Sequence, residues 1–172
     1  MTKVLTVYYS RKGENYFGGS IRSIEKGNTE RVAEFIQKAV GGDLFELETV
    51  REYAKDYHEC TNEAAQEKKS NARPALKKLP ECIDEYDVIF LGFPNWWGTA
   101  PMHVFTFLDA FDFSGKKIAP FCTNEGSGMG SSESDIRKEC PGANVLSGLS
   151  IRGSDAGKSE TKAAAWAKQV LK

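Results

Sequence analysis

The sequence has no apolar run long enough to cross a lipid bilayer, which takes about 20 consecutive apolar residues in a helix. It also lacks an excess of charge, because 23 lysine and arginine residues stand against 24 aspartate and glutamate residues. A nucleic-acid-binding protein usually carries a basic patch, so the formal net charge of −1 argues against that class. The first residues lead directly into a strand-like segment rather than a secretion signal. We therefore expect a cytoplasmic protein that binds neither nucleic acid nor membrane.

Residues that commonly bind metals are scarce, since the chain has four cysteines and two histidines. The cysteines form no CxxC pair, so no zinc site is expected. Without an export signal they should be reduced, and free cysteines usually pack as small buried residues. His58 near Cys60 has no second pair at ligand spacing, and His103 stands at a predicted helix start, so neither histidine is assigned a catalytic role. The cysteines are Cys60, Cys82, Cys122 and Cys140.

Two common phosphate-binding motifs are absent. No GxxxxGK[ST] follows the first strand-like segment, which excludes a P-loop hydrolase, and no GxGxxG marks a separate dinucleotide site. The sequence also has no internal repeat and no low-complexity linker. We therefore expect residues 1–172 to form one domain.

Five short apolar segments alternate with segments of helical periodicity. Strands that are apolar throughout are typical of a parallel sheet covered by helices on both faces. We predict an α/β three-layer sandwich with a five-stranded parallel sheet, for which right-handed crossovers leave few topologies, the order 2-1-3-4-5 among them. In the last helix, Trp166 is predicted to pack in the core. The predicted strands are 3–9, 44–47, 88–93, 117–122 and 144–151, and the predicted helices are 29–40, a region within 55–79, 102–111, 132–139 and 158–171.

The loop after the first strand suits a phosphate. In such folds ligands bind beyond the carboxyl ends of the strands. A helix N-terminus there offers free N–H groups, and short polar side chains lie beside it in the sequence. The alternative is that Asn28 or Thr29 only caps the helix. The candidate residues are Ser10, Arg11 and Lys12 and, past an insertion at 13–27, Asn28 and Thr29.

The loops after the third and fourth strands are aromatic and glycine-rich, respectively. Two adjacent tryptophans in a turn would expose a large apolar area to water, and one core cannot easily take both. Glycines permit close approach of the backbone to a ligand. The alternatives are tryptophans that pack on a helix or a dimer partner, and a flexible loop that caps the next helix through Ser131 or Ser132. The candidate residues are Pro94, Asn95, Trp96, Trp97 and Gly98, then Thr123, Asn124, Glu125, Gly126 and Gly128.

The order of elements and these three loops resemble those of flavodoxins, which bind flavin mononucleotide (FMN). The resemblance extends over nearly the whole chain and is most specific in the split phosphate loop, S-R-K-G followed by G-N-T. It is greatest to short-chain flavodoxin-like proteins. It implies that Ser10, Asn28 and Thr29 hold the phosphate and that segments 94–98 and 123–128 enclose the flavin ring. One or both tryptophans would then lie against that ring.

The chain departs from this family pattern in three respects. Arg11 and Lys12 replace neutral residues, and the insertion is predicted to form a hairpin around Gly18 and Gly19. The hairpin is either a flap over the phosphate, with Tyr16 or Phe17 in contact, or a surface decoration. The polar segment 51–79 is longer than a crossover helix needs and is interpreted as a surface helix, from which Tyr53 or Tyr57 could reach the flavin. The near-neutral charge argues against an acidic electron shuttle.

Three functions stay open at this point. The first is an FMN-binding redox protein that passes electrons to a redox partner protein. The second is an FMN-dependent NAD(P)H:quinone-type reductase acting on a small quinone-like acceptor. The third is a cofactor-free binding domain, against which the intact set of three loops argues. The sequence also leaves open whether the protein is a homodimer.

Overall fold

The computed structural model describes residues 1–172 and has a parallel sheet at its centre. Its strands, in sheet order, are β4 (Asp43–Glu46), β1 (Val4–Tyr8), β5 (Val88–Pro94) and β6 (Lys117–Asn124), followed by β7 (Asn144–Val145) and β8 (Leu149–Arg152), which both pair with β6. The predicted fold class and strand order are therefore confirmed, with β7 and β8 together in the fifth position. A separate antiparallel hairpin consists of β2 (Gly13–Phe17) and β3 (Ser20–Ile24), as predicted for the insertion.

Cover on both faces of the sheet explains why the central strands are almost entirely apolar. All five residues of β1 are buried, with Leu5 and Val7 in one core cluster and Val4 and Tyr8 in the other. Successive side chains of a strand point to opposite faces, so a sheet covered on both faces buries every residue of its central strands. The two clusters are therefore the two faces of one sheet.

The chain has five helices, and four of them cover these faces. The five are α1 (Asn28–Val40), α2 (Tyr57–Ser70), α3 (Met102–Asp109), α4 (Ser132–Glu139) and α5 (Glu160–Val170), with a 3-10 helix at Gly153–Lys158 before α5. The core residues of α1 and α5 pack on one face of the sheet and those of α3 and α4 on the other. Trp166 packs edge-on against Phe90, as predicted, with ring centroids 5.5 Å apart. None of the helices is both long and apolar enough to span a bilayer.

The fifth strand position is broken in two, which the single predicted strand 144–151 did not anticipate. Ile118 pairs with Val145 and Phe121 with Leu149, so three residues of the outer strand face two of β6. Pro120 lies in that gap and has no N–H to donate to a neighbouring strand. The extra residue is a bulge next to a proline, which is where sheets tolerate such interruptions.

The helix predicted within 55–79 is confirmed as α2, which ends at Ser70 because Asn71 adopts a left-handed conformation with φ of 50°. Cys60, Cys122 and Cys140 are buried as expected, but Cys82 is exposed, so the prediction of four buried cysteines is wrong for that residue. Cys82 lies in the irregular segment before β5, whose chain runs over the surface.

Candidate functional site

A cleft of about 440 Å³ opens at the carboxyl ends of β1, β5 and β6. Three of its walls are the three loops that the sequence singled out. Of the candidate residues, Ser10, Lys12, Gly126 and Gly128 lie off the wall of this cleft. Those that line it are Arg11, Asn28, Thr29, Pro94, Asn95, Trp96, Trp97, Gly98, Thr123, Asn124 and Glu125.

The N-terminus of α1 forms one end of the cleft. The helix begins after Gly27, which has no side-chain cap, so neither Asn28 nor Thr29 is the capping residue. Ser10 stabilises the first turn of α1, because its Oγ accepts a hydrogen bond of 3.0 Å from the backbone N–H of Glu30. The N–H groups of the first turn have no acceptor within the helix, so those of Asn28 and Thr29 are free for a ligand. A side chain at Gly27 would overlap the Ser10 hydroxyl, which explains the glycine.

Arg11 and Lys12 differ in what they offer to this end of the cleft. Arg11 donates from Nε to the Glu14 carbonyl at 2.7 Å and from Nη2 to the Ala54 and Lys55 carbonyls, which leaves Nη1 without a partner. Lys12 instead lies within ion-pair distance of Glu46, at 3.7 Å, and of Glu30. Arg11 is therefore the cation on the wall, while Lys12 neutralises carboxylates behind it.

The two tryptophans lie in a tight turn with an unusual backbone. Trp96 and Thr99 pair across it, and the two central residues, Trp97 and Gly98, have φ of 56° and 84°. Two positive φ values define a type I′ turn, where asparagine or glycine normally stands, and a bulky residue in that conformation is strained. The Asn95 side chain stabilises the turn, since its Oδ1 accepts from the Gly98 N–H at 2.8 Å. Strain of this kind is commonly kept for function.

Trp97 and Trp96 have different environments. Trp97 is 55% exposed on the rim of the cleft, and its Nε1 donates to the Thr61 carbonyl at 2.9 Å. Trp96 is half-buried and packs edge-on against Tyr9 and Tyr53, with centroid distances of 5.3 and 5.0 Å. Trp97 therefore presents a ring to a ligand, whereas Trp96 is largely a packing residue with one part on the wall.

His103 lies behind Trp96 and is fully buried. Its Nδ1 is 3.1 Å from the Tyr53 hydroxyl, which in turn donates to Glu67 at 2.7 Å. Its Nε2 has no hydrogen-bond partner. Burial lowers the pKa of His103 from its usual 6.5 to about 3, so the ring is neutral at physiological pH.

The glycine-rich loop after β6 is held in shape by asparagine side chains. Asn124 Oδ1 accepts from the N–H groups of Gly126 and Gly128, at 2.9 and 3.0 Å. Asn95 Nδ2 donates to the Gly128 carbonyl at 2.9 Å, which ties this loop to the tryptophan turn. Gly126 and Gly128 thus shape the loop, and Glu125 and Ser127 are its residues on the wall.

Helix α2 forms a wall of the cleft that the sequence interpretation anticipated only in expecting that Tyr53 or Tyr57 could reach the flavin. Tyr57, Cys60, Thr61 and Ala64 line the cleft, and their spacing of i, i+3, i+4 and i+7 places them on one helical face. This stripe was available in the sequence, but the polar residues around it favoured a surface helix. Tyr57 lines the cleft and Tyr53 does not. Burial raises the pKa of the Cys60 thiol to about 11, so it is neutral.

The hairpin of β2 and β3 forms the remaining wall. Asn15 and Tyr16 line the cleft, whereas Phe17 does not. The Tyr16 and Tyr57 rings lie 6.3 Å apart, so the hairpin and α2 meet over the cleft. The insertion is thus part of the site.

A family model for flavodoxin matches residues 16–170 of the chain. Flavodoxin 1 of Escherichia coli (strain K12) is 28% identical over 101 residues, and this match spans 56% of the chain but less than half, 43%, of the relative. A candidate flavoprotein from Bacteroides eggerthii has a TM-score of 0.80 at 30% identity. The match covers 100% of this chain and 99% of that one. A flavoprotein from Lactobacillus acidophilus in complex with FMN has a TM-score of 0.67 at 22% identity, with 92% of this chain and 98% of that one covered, a likeness of fold.

Proposed function

Because the chain belongs to the flavodoxin family, we propose that its cleft binds FMN and that the protein transfers electrons through the bound flavin. The observation that carries the proposal is the meeting of three loops at one sheet edge. A helix N-terminus, an exposed tryptophan and a glycine-rich loop line a single cleft of about 440 Å³. The FMN complex of the Lactobacillus acidophilus flavoprotein, which has the same fold, supports this choice of ligand.

The donors at the α1 end fit a phosphate. The free N–H groups of Asn28 and Thr29 lie at the positive end of the helix dipole, and Arg11 Nη1 adds a cation with an unused donor. Gly27 keeps the turn free of a side chain, so an anion can approach the backbone closely. Ser10 supports the turn through Glu30 rather than by direct contact.

The opposite part of the cleft fits a flat aromatic ring. Trp97 provides an exposed indole, and the loop at 123–128 provides a wall of small and polar groups next to the turn at 94–98. An offset stack of two aromatic rings contributes about 1 kcal/mol beyond the area that it buries. The strained backbone of Trp97 is then explained, because it aims the ring at the ligand.

The polypeptide would bind and orient the flavin, which supplies the redox chemistry when bound. The Cys60 thiol on the wall and the His103 imidazole behind Trp96 are both neutral, since burial raises the pKa of Cys60 to about 11 and lowers that of His103 to about 3. Neither is placed to act as an acid or base at physiological pH. The site therefore relies on binding, orientation and exclusion of water.

Absorption spectroscopy after incubation with FMN and removal of free flavin tests the proposal. We expect the protein to retain flavin, Trp97→Ala to weaken FMN binding about tenfold, and Trp97→Phe to weaken it less. Trp166→Phe, on the far side of the sheet, is the matched control and should bind FMN normally. A wild-type protein that retains no flavin would overturn the proposal.

A turnover assay separates the electron carrier from the reductase. The FMN-loaded protein is mixed with NADPH or NADH and a quinone, and oxidation of the nicotinamide is followed. An electron carrier should show no sustained turnover without a partner reductase. Sustained turnover would instead assign the NAD(P)H:quinone-type activity, with the quinone-like acceptor bound at the exposed flavin edge.

A further inference from the structure

We propose that the β2–β3 hairpin closes the phosphate end of the cleft and makes the site selective for a flavin that ends in a single phosphate. Two carboxylates, Glu14 and Glu125, hold it closed. The inference rests on the proposed function, because it assumes that a flavin phosphate binds at the N-terminus of α1.

The hairpin is tied down at both ends by hydrogen bonds to distant parts of the chain. At its base, Glu14 Oε2 accepts from the backbone N–H of Tyr57 at 2.7 Å, at the first residue of α2. At its tip, Glu125 Oε1 accepts from the backbone N–H of Gly18. The hairpin therefore spans the mouth of the cleft from α2 on one side to the glycine-rich loop on the other.

Further contacts make the base of the hairpin rigid. Arg11 joins the Glu14 carbonyl to the Ala54 and Lys55 carbonyls in the loop before α2. Asn15 Nδ2 donates to the Arg11 carbonyl at 2.8 Å, which fixes the side chain that lines the cleft. Arg11 thus has one nitrogen free for an anion while its other donors hold the hairpin in place.

The hairpin lies beside the N-terminus of α1, where the phosphate is proposed to bind. A Cβ placed on Gly153 would come within 2.8 Å of Asn28 Nδ2 and 3.3 Å of Phe17 Cβ, so the hairpin, the start of the 3-10 helix and the start of α1 meet there. Asn28 lies on the same wall as Arg11 and Tyr16. A second phosphate and an adenosine, as in flavin adenine dinucleotide (FAD), would need to pass through this junction.

The packing of the hairpin argues against a purely structural role. No residue between 13 and 24 belongs to either core cluster, and four of the five residues of β3 are exposed. The core therefore does not need the hairpin. Its contacts are instead concentrated on the two sides of the cleft, which is the arrangement of a cover.

Equilibrium titration with FMN, riboflavin and FAD, followed by flavin fluorescence, tests the selectivity. We expect the wild type to prefer FMN to FAD by about 100-fold or more, because a closed end rejects the larger ligand by steric conflict. In a variant with residues 14–23 replaced by two glycines, this preference should fall at least about tenfold, mainly through tighter FAD binding. Circular dichroism and thermal unfolding of the flavin-free variant establish that its sheet is intact.

Single substitutions test the two carboxylates without removing the hairpin. Glu14→Ala and Glu125→Ala should each speed FMN dissociation about tenfold in stopped-flow mixing, because each removes the acceptor of one backbone N–H. Glu14→Gln and Glu125→Gln keep an acceptor oxygen, so each should speed dissociation less than the alanine variant at the same position. Equal binding of FMN and FAD by the wild type, or undiminished selectivity in the shortened variant, would overturn the hairpin's role while leaving flavin binding intact. A wild type that binds no flavin at all would overturn both proposals.

Discussion

Trp96 and Trp97 are adjacent in the chain but differ in what holds them. Trp96 is surrounded by Tyr9, Tyr53 and His103, so its position follows from packing. Trp97 is held through its backbone, with φ of 56°, and by one hydrogen bond from its indole to α2. The sequence suggested that both rings could not be buried together, but it could not tell which one faces the cleft. Which ring faces the cleft depends on the type I′ turn. Sequence favours that turn when asparagine and glycine occupy its two central positions, and here Trp97 occupies the first of them.

His103 makes the stability of the protein depend on pH. Its pKa in the folded chain is about 3, against a usual value of 6.5, because burial disfavours the charged ring. Between these values the unfolded chain binds a proton that the folded chain does not, so stability falls as the pH falls. From pH 8 to pH 5 the loss from this group is about 2 kcal/mol.

Urea unfolding at the two pH values, compared with His103→Gln, measures this contribution. The variant should lose the part of the decline that comes from His103, while the neighbouring Tyr53 and Glu67 remain in both proteins. His58→Gln is the matched control and should keep the full decline, because His58 is exposed in the folded chain. An equal decline in the wild type and His103→Gln would show that His103 is not held neutral.

At the scale of elements, the central strands were predictable and the walls of the cleft were only partly so. Continuous apolar strands require cover on both faces, and right-handed crossovers left few strand orders, among them the observed one. Apart from Tyr57, the α2 wall was missed, because its stripe of Tyr57, Cys60, Thr61 and Ala64 is short and only partly apolar. The hairpin's attachments could not be predicted, since their donors are the backbone N–H groups of Tyr57 and Gly18. Any residue but proline carries such a group.

The tryptophan turn and the glycine-rich loop pack so closely that replacing one glycine by alanine, which adds a single methyl group, tests the contact. Gly130 has φ of 55°, and a Cβ there would overlap the Gly98 carbonyl oxygen. Gly130→Ala should therefore destabilise the fold by about 3 kcal/mol or more, from the clash and the left-handed backbone together. Chemical unfolding measures this loss.

Gly128→Ala is the matched control for that experiment. Gly128 also has a positive φ, of 69°, but a Cβ there meets no atom within 4 Å. The substitution should cost only the conformational strain, about 1–2 kcal/mol. Equal losses in the two variants would mean that the two loops separate easily.

At the scale of the whole molecule, the proposed ligand would connect segments that the core does not connect. The cleft is bounded by three strand-end loops, by α2 and by the hairpin, and the latter two contribute little to the core clusters. A ligand that contacts all of them adds stability in proportion to its affinity for the folded chain. The fold is complete without the ligand, but the walls of the cleft are the part that the ligand would hold together.

FMN should therefore raise the melting temperature. At a free concentration of 100 times the dissociation constant it adds about 2.7 kcal/mol, which corresponds to about 5–10 °C for a chain of this size. Riboflavin at the same concentration should raise it less, because the N-terminus of α1 and Arg11 then have no phosphate to bind. Differential scanning calorimetry with each ligand measures the difference. Equal shifts would place the phosphate outside the α1 end of the cleft.

The exposed Cys82 gives the molecule one chemically accessible thiol on the side away from the cleft. It precedes β5, whereas the cleft lies beyond the other end of that strand, about 20 Å away. The three buried thiols react poorly, since burial raises the pKa of Cys60 to about 11 and those of Cys122 and Cys140 to about 12. A maleimide or a gold surface should thus attach the unmodified wild-type chain at a single point, with the cleft facing outward toward solution.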